Sequence, residues 1–332
     1  MMRKNRVGPY FPKYPLLLAC LVVAGPAVAA EDAPVKVDPA VKTLRDCPFC
    51  PEMAIIPAGK SMMGTAGGAE ELEAATGEGL QLAVTIDKPF ALGITEVTLR
   101  QYADFVRQAD YKPEPGCRVW NDRWAVDAKA TWREPRQPKN PKDDHPAACV
   151  SWKDAQAYVA WLSQKTGKSY RLPSESEWEY AARAGTTSPR YFGFNSFEGV
   201  SISLACEHAN VYDVTGQSVF PFPIPYARCK DNYDDSALVA AFKPNAFGLY
   251  DMIGNVWEWV GDCYTASYWG RPPDGSVWVW EGGCEKRGLR GGAWSSRPAD
   301  ARSAKRNSAP TDYRSSDVGF RIARSLDPSE LK

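Results

Sequence analysis

The spacing of apolar residues changes character several times along this chain. Met53–Pro57 (MAIIP) is a compact apolar run that predicts a short strand, and Gly59–Gly64 continues it into a turn. Leu82–Ile86 and Phe90–Ile94 predict two further strands, set apart by Ala66–Gly79, whose Gly and Glu content marks a surface loop. At Thr98 the period lengthens. Thr98 and Gln101 form a capping box that opens a helix to about Ala109. Ser151 caps a second helix from Trp152 to about Lys165, with Ala155, Tyr158, Val159 and Leu162 at helical spacing and Gly167 as its stop. Ser174 and Glu177 form another capping box, opening a helix over Glu175–Ala184. Beyond Gly185 the pattern reads as turns, short strands and long loops, with Trp257 and Trp259 alternating as in a strand. No internal repeat, coiled coil or second domain boundary interrupts it.

With 332 residues, 44% of them hydrophobic, the chain is long enough for one large domain with its own core. Twelve Trp, 26 Gly and 27 Pro suit a loop-rich, aromatic-packed interior and not a helical bundle. Residues 1–30 read as a signal peptide: Arg3, Lys4, Arg6 and Lys13 form the basic start, Leu16–Gly25 the apolar run, and Ala27-Val28-Ala29-Ala30 the small-residue cleavage site. That run is too short to span a bilayer, and no other segment is apolar enough to be transmembrane. The chain is therefore expected to be exported, periplasmic or extracellular. Leu17-Leu18-Ala19-Cys20 also resembles a lipoprotein acylation site, a weaker alternative because the apolar stretch before Cys20 is so short. Residues 31–45 read as a linker, 46–326 as the domain and 327–332 as a tail.

Basic and acidic residues balance at 40 each, and removing the four basic residues of the leader leaves 36 against 40. So slight a negative balance gives no footprint for nucleic acid or anionic lipid. Removing Cys20 also takes nine cysteines to eight, an even number that favours disulfides in an exported chain. Spacing suggests Cys47–Cys50, Cys117–Cys149, Cys206–Cys229 and Cys263–Cys284, although spacing alone leaves other connectivities open. Cys47-Pro-Phe-Cys50 is also open to reading as a metal or redox pair.

Four segments in order carry a resemblance: Arg171–Arg183 (RLPSESEWEYAAR), Gly248–Trp259 (GLYDMIGNVWEW), Arg290-Gly291-Gly292-Ala293-Trp294 and Gly319-Phe320-Arg321. Together they resemble the formylglycine-generating enzyme family, also called sulfatase-modifying factors, over about Asp46–Arg324. The resemblance implies an α+β fold, a single mixed domain with little regular secondary structure, related to C-type lectin-like folds and stabilised by disulfides and Ca²⁺. It implies two structural Ca²⁺ segments. The first would use the Asp251 side chain, the Gly254 and Val256 carbonyls and the Glu258 side chain. The second would use Asn210 and Val211 with Asp231 and Tyr233. Carboxylates mixed with Gly and main-chain carbonyls suit a hard cation that takes six to eight oxygens; solvated loop carboxylates are the alternative at both places.

The family's copper-dependent members carry a catalytic cysteine pair just beyond the Gly-Gly-x-aromatic turn. Here that stretch runs Ser295-Ser296-Arg297-Pro298-Ala299-Asp300-Ala301-Arg302, Ala293 replaces the usual Ser, and no cysteine follows Cys284. Thiolates are the soft ligands Cu(I) needs, so copper and ordinary formylglycine generation are not expected. A related branch binds iron through three histidines; this chain has only His145 and His208, both read as structural. In Arg171–Arg183 the three glutamates invite an acid/base reading, but Glu177 as cap and Trp178, Ala181 and Ala182 as a buried face favour structure.

Trp257, Trp259, Arg290, Trp294, Ser296, Arg302, Arg306 and Arg321 are the candidates for a groove, because Arg forks and aromatic faces suit a carboxylate or an extended peptide. Arg321 is alternatively a fold anchor in a buried pair, and one of the two tryptophans a core residue. The leading expectation is an exported pseudo-enzyme that recognises a peptide or protein partner in the family's substrate groove, with no catalytic residue assigned. The alternative is an oxidoreductase of altered mechanism acting on a peptide or siderophore precursor.

Overall fold

The computed structural model describes residues 41–65, 78, 81–193 and 203–331. The leader, Cys20, most of the 31–45 segment and nearly all of the Ala66–Gly79 loop lie outside them. Chain order runs β1 Thr43–Leu44, β2 Met53–Ile56, β3 Gly59–Met63, β4 Leu82–Ile86, β5 Phe90–Gly93, helix α1 Leu99–Ala109, β6 Cys117–Trp120 and β7 Trp124–Asp127. There follow α2 Trp152–Thr166, β8 Tyr170–Arg171, α3 Glu175–Arg183, α4 Ser203–His208 and α5 Val214–Val219. The remaining strands are β9 Trp257–Cys263, β10 Lys286–Arg290, β11 Arg306–Pro310, β12 Val318–Gly319 and β13 Ala323–Ser325. The fold is a mixed α/β domain with few helices, as the resemblance implies. No helix among the described residues is long and apolar enough to cross a membrane.

One sheet has the order β1-β2-β5-β13-β8, antiparallel throughout. Its first strand corrects the sequence reading, because Thr43 pairs with Ala54 inside the segment expected to be linker. The second sheet, β11-β10-β9-β12, includes a parallel pair, with Val318 opposite Trp257. Every residue of β9 is buried, so this strand is a core element on both faces. The hairpin β6–β7 and the short helices α4 and α5 fall where the pattern predicted no such element.

The three long helices start where their caps predict. Thr98, Ser151 and Ser174 each accept from the main-chain N–H three residues on, and the residue at that position returns a bond to the cap. In α2 that partner is Asp154, and Gly167 ends the helix in the left-handed region. Tyr102 and Phe105 of α1 pack against Tyr158 of α2, and Phe320 closes on Tyr158 at a ring distance of 5.4 Å. All four disulfides suggested by spacing form.

Helix α3 is buried along its whole length, carboxylates included. Glu177 closes the capping box by accepting the Ser174 main-chain N–H, and it accepts both arms of Arg171. Glu175 receives Arg271 at 2.8 Å, Arg306 at 2.6 Å and Arg290 at 3.2 Å. Glu179 receives Arg290 at 2.5 Å and Arg183 at 2.7 Å. Asp262 of β9 accepts the Glu175 main-chain N–H and Arg271, each at 2.8 Å. Burial alone would raise the Glu175 carboxyl, but Arg271, Arg306 and Arg290 outweigh it and hold the group far below the usual carboxylate range. Rings of Trp178 and Tyr268 lie against these guanidiniums. The lattice ties α3 to β9, β10 and β11 at once.

Removing one member of such a lattice strands the others without water. Glu175→Ala is expected to lower the unfolding free energy by about 3–5 kcal/mol, against about 1 kcal/mol for the loss of a helix cap in Ser174→Ala. Urea unfolding followed by tryptophan fluorescence measures both, and equal small effects would show that the lattice does not hold the sheet to the helix.

Candidate functional site

The Arg290–Trp294 turn leaves β10 and is shaped by two glycines. Gly291 and Gly292 have φ of +96° and +84°, and a side chain on Gly291 would meet the Trp178 ring at 3.2 Å. The chain then folds back, so that Ser296 and Ala301 both lie beside Gly292. Ser296 Oγ accepts the Ala293 main-chain N–H at 3.0 Å, and the Ser296 carbonyl accepts from Tyr212. Serine and alanine therefore occupy the stretch beyond the turn. All eight cysteines among the described residues are in disulfides, leaving no free thiol among them.

The structure corrects most of the expected groove. Arg290 and Arg306 belong to the α3 lattice and are fully or almost fully buried. Arg321 grips Glu258 with both arms at 2.6 Å and also donates to the carbonyls of Gly93 and Tyr250. Glu258 completes its shell with the Trp178 indole N–H at 2.6 Å. Trp259 is core and donates to the Val150 carbonyl. Trp294 is core too, with its ring among Trp124, Phe220 and Phe222. Arg302 pairs with buried Glu78 at 2.7 Å. Sequence spacing could not show this, because an arginine fork reads the same whether it faces a ligand or an internal carboxylate.

Trp257 alone of these residues lines an open cleft, of about 280 Å³, on the sheet β11-β10-β9-β12. Arg118, Lys286, Tyr313 and Asp317 share its wall. Asp317 accepts the hydroxyls of Ser295 and Ser315, and Arg118 donates to Tyr313 and lies over the Trp124 ring. The cleft thus adjoins the Gly-Gly turn through Ser295. A larger cavity, about 1040 Å³, lies along the β6–β7 hairpin and the segment after it. Neither Arg118 nor the hairpin carried a sequence motif that would have marked it.

The two segments read as cation ligands meet in space. Asn210 and Gly254 form a bridge so close that a side chain on Gly254 would fall 2.1 Å from the Asn210 carbonyl oxygen. Asp251 is buried with Oδ1 unpartnered, while Oδ2 accepts the Ala240 N–H at 2.8 Å. Glu258 is a correction here as well, since its charge is neutralised by Arg321. The second acid facing Asp251 is Glu96, which sequence reasoning missed and whose Oε2 has no partner. Burial raises both, Glu96 further because Asp251 lies beside it, and Asp251 to about 6.

In the other segment Asp231 Oδ2 is unpartnered, and burial with neighbouring Asp213 pushes that carboxyl up to about 8. Asn210 instead donates to the Asp235 carbonyl at 2.8 Å. No three Asp, Glu, His or Cys side chains group as metal ligands among the described residues. A cation at either segment would draw on single carboxylate oxygens together with main-chain carbonyls, a set that fits a hard ion and not copper. The histidines are structural in position: His145 Nδ1 accepts the Lys142 N–H, and His208 stacks on Phe192.

A family model described as "Sulfatase-modifying factor enzyme 1-like domain" matches residues 41–326. The mouse protein named "Inactive C-alpha-formylglycine-generating enzyme 2" is 32% identical over 305 residues, which cover 83% of this chain and 86% of that one. The formylglycine-generating enzyme of Thermomonospora curvata is 32% identical over 240 residues, covering 65% of this chain and 73% of its own. Among solved structures, PvdO from Pseudomonas aeruginosa superposes with a TM-score of 0.71 at 35% identity, covering 89% of this chain and 100% of that chain.

Alkylation of the denatured, unreduced protein lacking residues 1–30 is expected to label no cysteine, and alkylation after reduction to label all eight. Intact-mass measurement counts the labels, and any label before reduction would reopen thiol chemistry.

Proposed function

We propose, from the premise that this chain belongs to the sulfatase-modifying factor family, that it is an exported member that recognises a peptide or protein partner and does not generate formylglycine. The observation that carries this reading is the Gly291–Ala301 turn. Ser296 and Ala301 flank Gly292, and every described cysteine is spent in a disulfide. A soft Cu(I) site needs thiolate or comparable ligands, and a serine hydroxyl is a poor substitute. The mouse relative whose name calls it inactive supports the same direction.

The surface this reading assigns to recognition is the Trp257 cleft, which adjoins the Gly291–Gly292 turn. Its indole wall, the Arg118 and Lys286 cations and the Asp317 carboxylate suit a short extended peptide, whose ends and amides need both charge signs. Four disulfides support the exported assignment.

The test offers the mature protein cysteine-containing sulfatase-motif peptides with Cu(I) and O₂, read by mass spectrometry. The expected outcome is no conversion of cysteine to aldehyde. Binding of the same peptides is expected to weaken roughly tenfold in Arg118→Gln, the effect of losing one charge-assisted bond. Aldehyde formation would overturn the reading, and any other oxidised product would favour an oxidoreductase of altered mechanism acting on a peptide or siderophore precursor.

We further propose that Asp251 with Glu96, and Asp231 with the Asn210–Val211 main chain, each hold a structural Ca²⁺. The unpartnered buried oxygens of Asp251, Glu96 and Asp231 support this, because a bound cation would keep these carboxyls ionised. At about a hundredfold excess over Kd, Ca²⁺ is expected to add about 2.7 kcal/mol of stability per site. Calorimetry with and without chelator measures it, and Asp251→Ala and Asp231→Ala should each remove part of the gain. An unchanged melting temperature would mean that the acids are satisfied by protons instead.

A further inference from the structure

We propose a second binding site, for an acidic peptide segment, in the cavity along the β6–β7 hairpin. This site is separate from the Trp257 cleft and stands or falls independently of it. At about 1040 Å³ the cavity exceeds what a single small ion or amino acid needs.

Its charges are unevenly matched. Arg136 is neutralised, with Nε on Asp127 Oδ2 at 2.9 Å and Glu134 at 3.7 Å. The Lys129 N–H and Arg136 together hold Asp127 below its ordinary range, so that acid is already committed. Arg133 and Lys139 also line the cavity, and neither has a carboxylate within ion-pair distance among the described residues. The Arg133 guanidinium instead lies 4.4 Å over the Trp132 ring, which leaves its outer N–H groups for a ligand. Lys139 does act at longer range on buried Asp235, drawing down a carboxyl that burial and neighbouring Asp234 push up, but it forms no ion pair with it. The lining therefore sets three cations against two carboxylates, Asp127 and Glu134, with Arg133 and Lys139 outside any ion pair among the described residues.

The remaining wall suits a chain and not a free ion. Trp120 is fixed at ring distances of 4.5 Å from Phe222 and 5.9 Å from Trp124, so this face cannot collapse. Val126, 73% exposed, adds an apolar rim. Asn121 and Asn140 offer side-chain amides that match a peptide backbone. The Cys117–Cys149 disulfide braces the hairpin at the start of β6. A peptide would place acidic side chains on Arg133 and Lys139 and an apolar one on Trp120. The net positive charge of this concave wall also favours capture of a negative segment over a neutral one.

The test titrates the mature protein with an unstructured decapeptide of alternating Asp, Glu and Phe, and with its Asn/Gln isostere, by calorimetry. Free glutamate and inorganic phosphate serve as small anions. The acidic peptide is expected to bind roughly tenfold or more tighter than the isostere, and Arg133→Gln with Lys139→Gln to remove that preference. Raising salt from about 0.05 to about 0.5 M should weaken binding. The surface control Lys153→Gln should leave it unchanged. Circular dichroism and the melting temperature check that the double variant folds. Equal affinity for acidic and neutral peptides, or an unaffected double variant, would overturn the proposal. So would phosphate and glutamate binding as tightly as the peptide, which would make this a small-anion site.

Discussion

Four guanidinium groups closed around three buried carboxylates govern this molecule. Arg183, Arg271, Arg290 and Arg306 surround Glu175, Glu179 and Asp262, and the rings of Trp178 and Tyr268 exclude water from them. A charge taken out of water is tolerated only where its partners satisfy it geometrically. That condition couples residues far apart in the chain: α3 must be in place for β10 to keep Arg290, and β11 must be in place for Glu175 to keep its bidentate partner. The Glu258–Arg321 pair repeats the device on the other side of Trp178, whose indole N–H reaches Glu258.

This coupling explains which parts of the fold were legible in the sequence. Local signals were read well. The three capping boxes, the strands at Met53, Leu82 and Phe90, and the four disulfide partners each rest on residues close in sequence or on cysteine spacing. The long-range uses of charge were not legible. Arg290, Arg306 and Arg321 look like surface cations until their carboxylates are seen, and those lie 63 to 131 residues away. Glu96 was missed for the same reason, since nothing near it in sequence announces Asp251. The β6–β7 hairpin was missed because Cys117–Trp120 and Trp124–Asp127 are too short to display a period.

The turn at Gly291 and Gly292 shows how a scaffold keeps its shape when its residues change. Its backbone is set by two positive φ angles, by the Gly254 N–H on the Gly291 carbonyl and by Ser296 on Ala293. None of these contacts needs a thiol. A chain can therefore hold the family's turn while carrying serine and alanine beside it, and the fold alone does not announce what reaction, if any, takes place there.

The position of β13 has a consequence for how the chain is made. Ala323–Ser325 lies between β5 and β8, so the first sheet stays in two separated pieces until this late strand docks. Leu92 and Ala91 pair with β2 on one side and gain their neighbour on the other only when β13 docks. A nascent chain of this protein is thus an open sheet with an unfilled central slot, and such slots accept foreign strands as readily as their own. The strand nearest the end of the domain is thus the one that locks the first sheet, and a chain cut before Ala323 keeps every earlier strand of that sheet yet leaves it open along its middle.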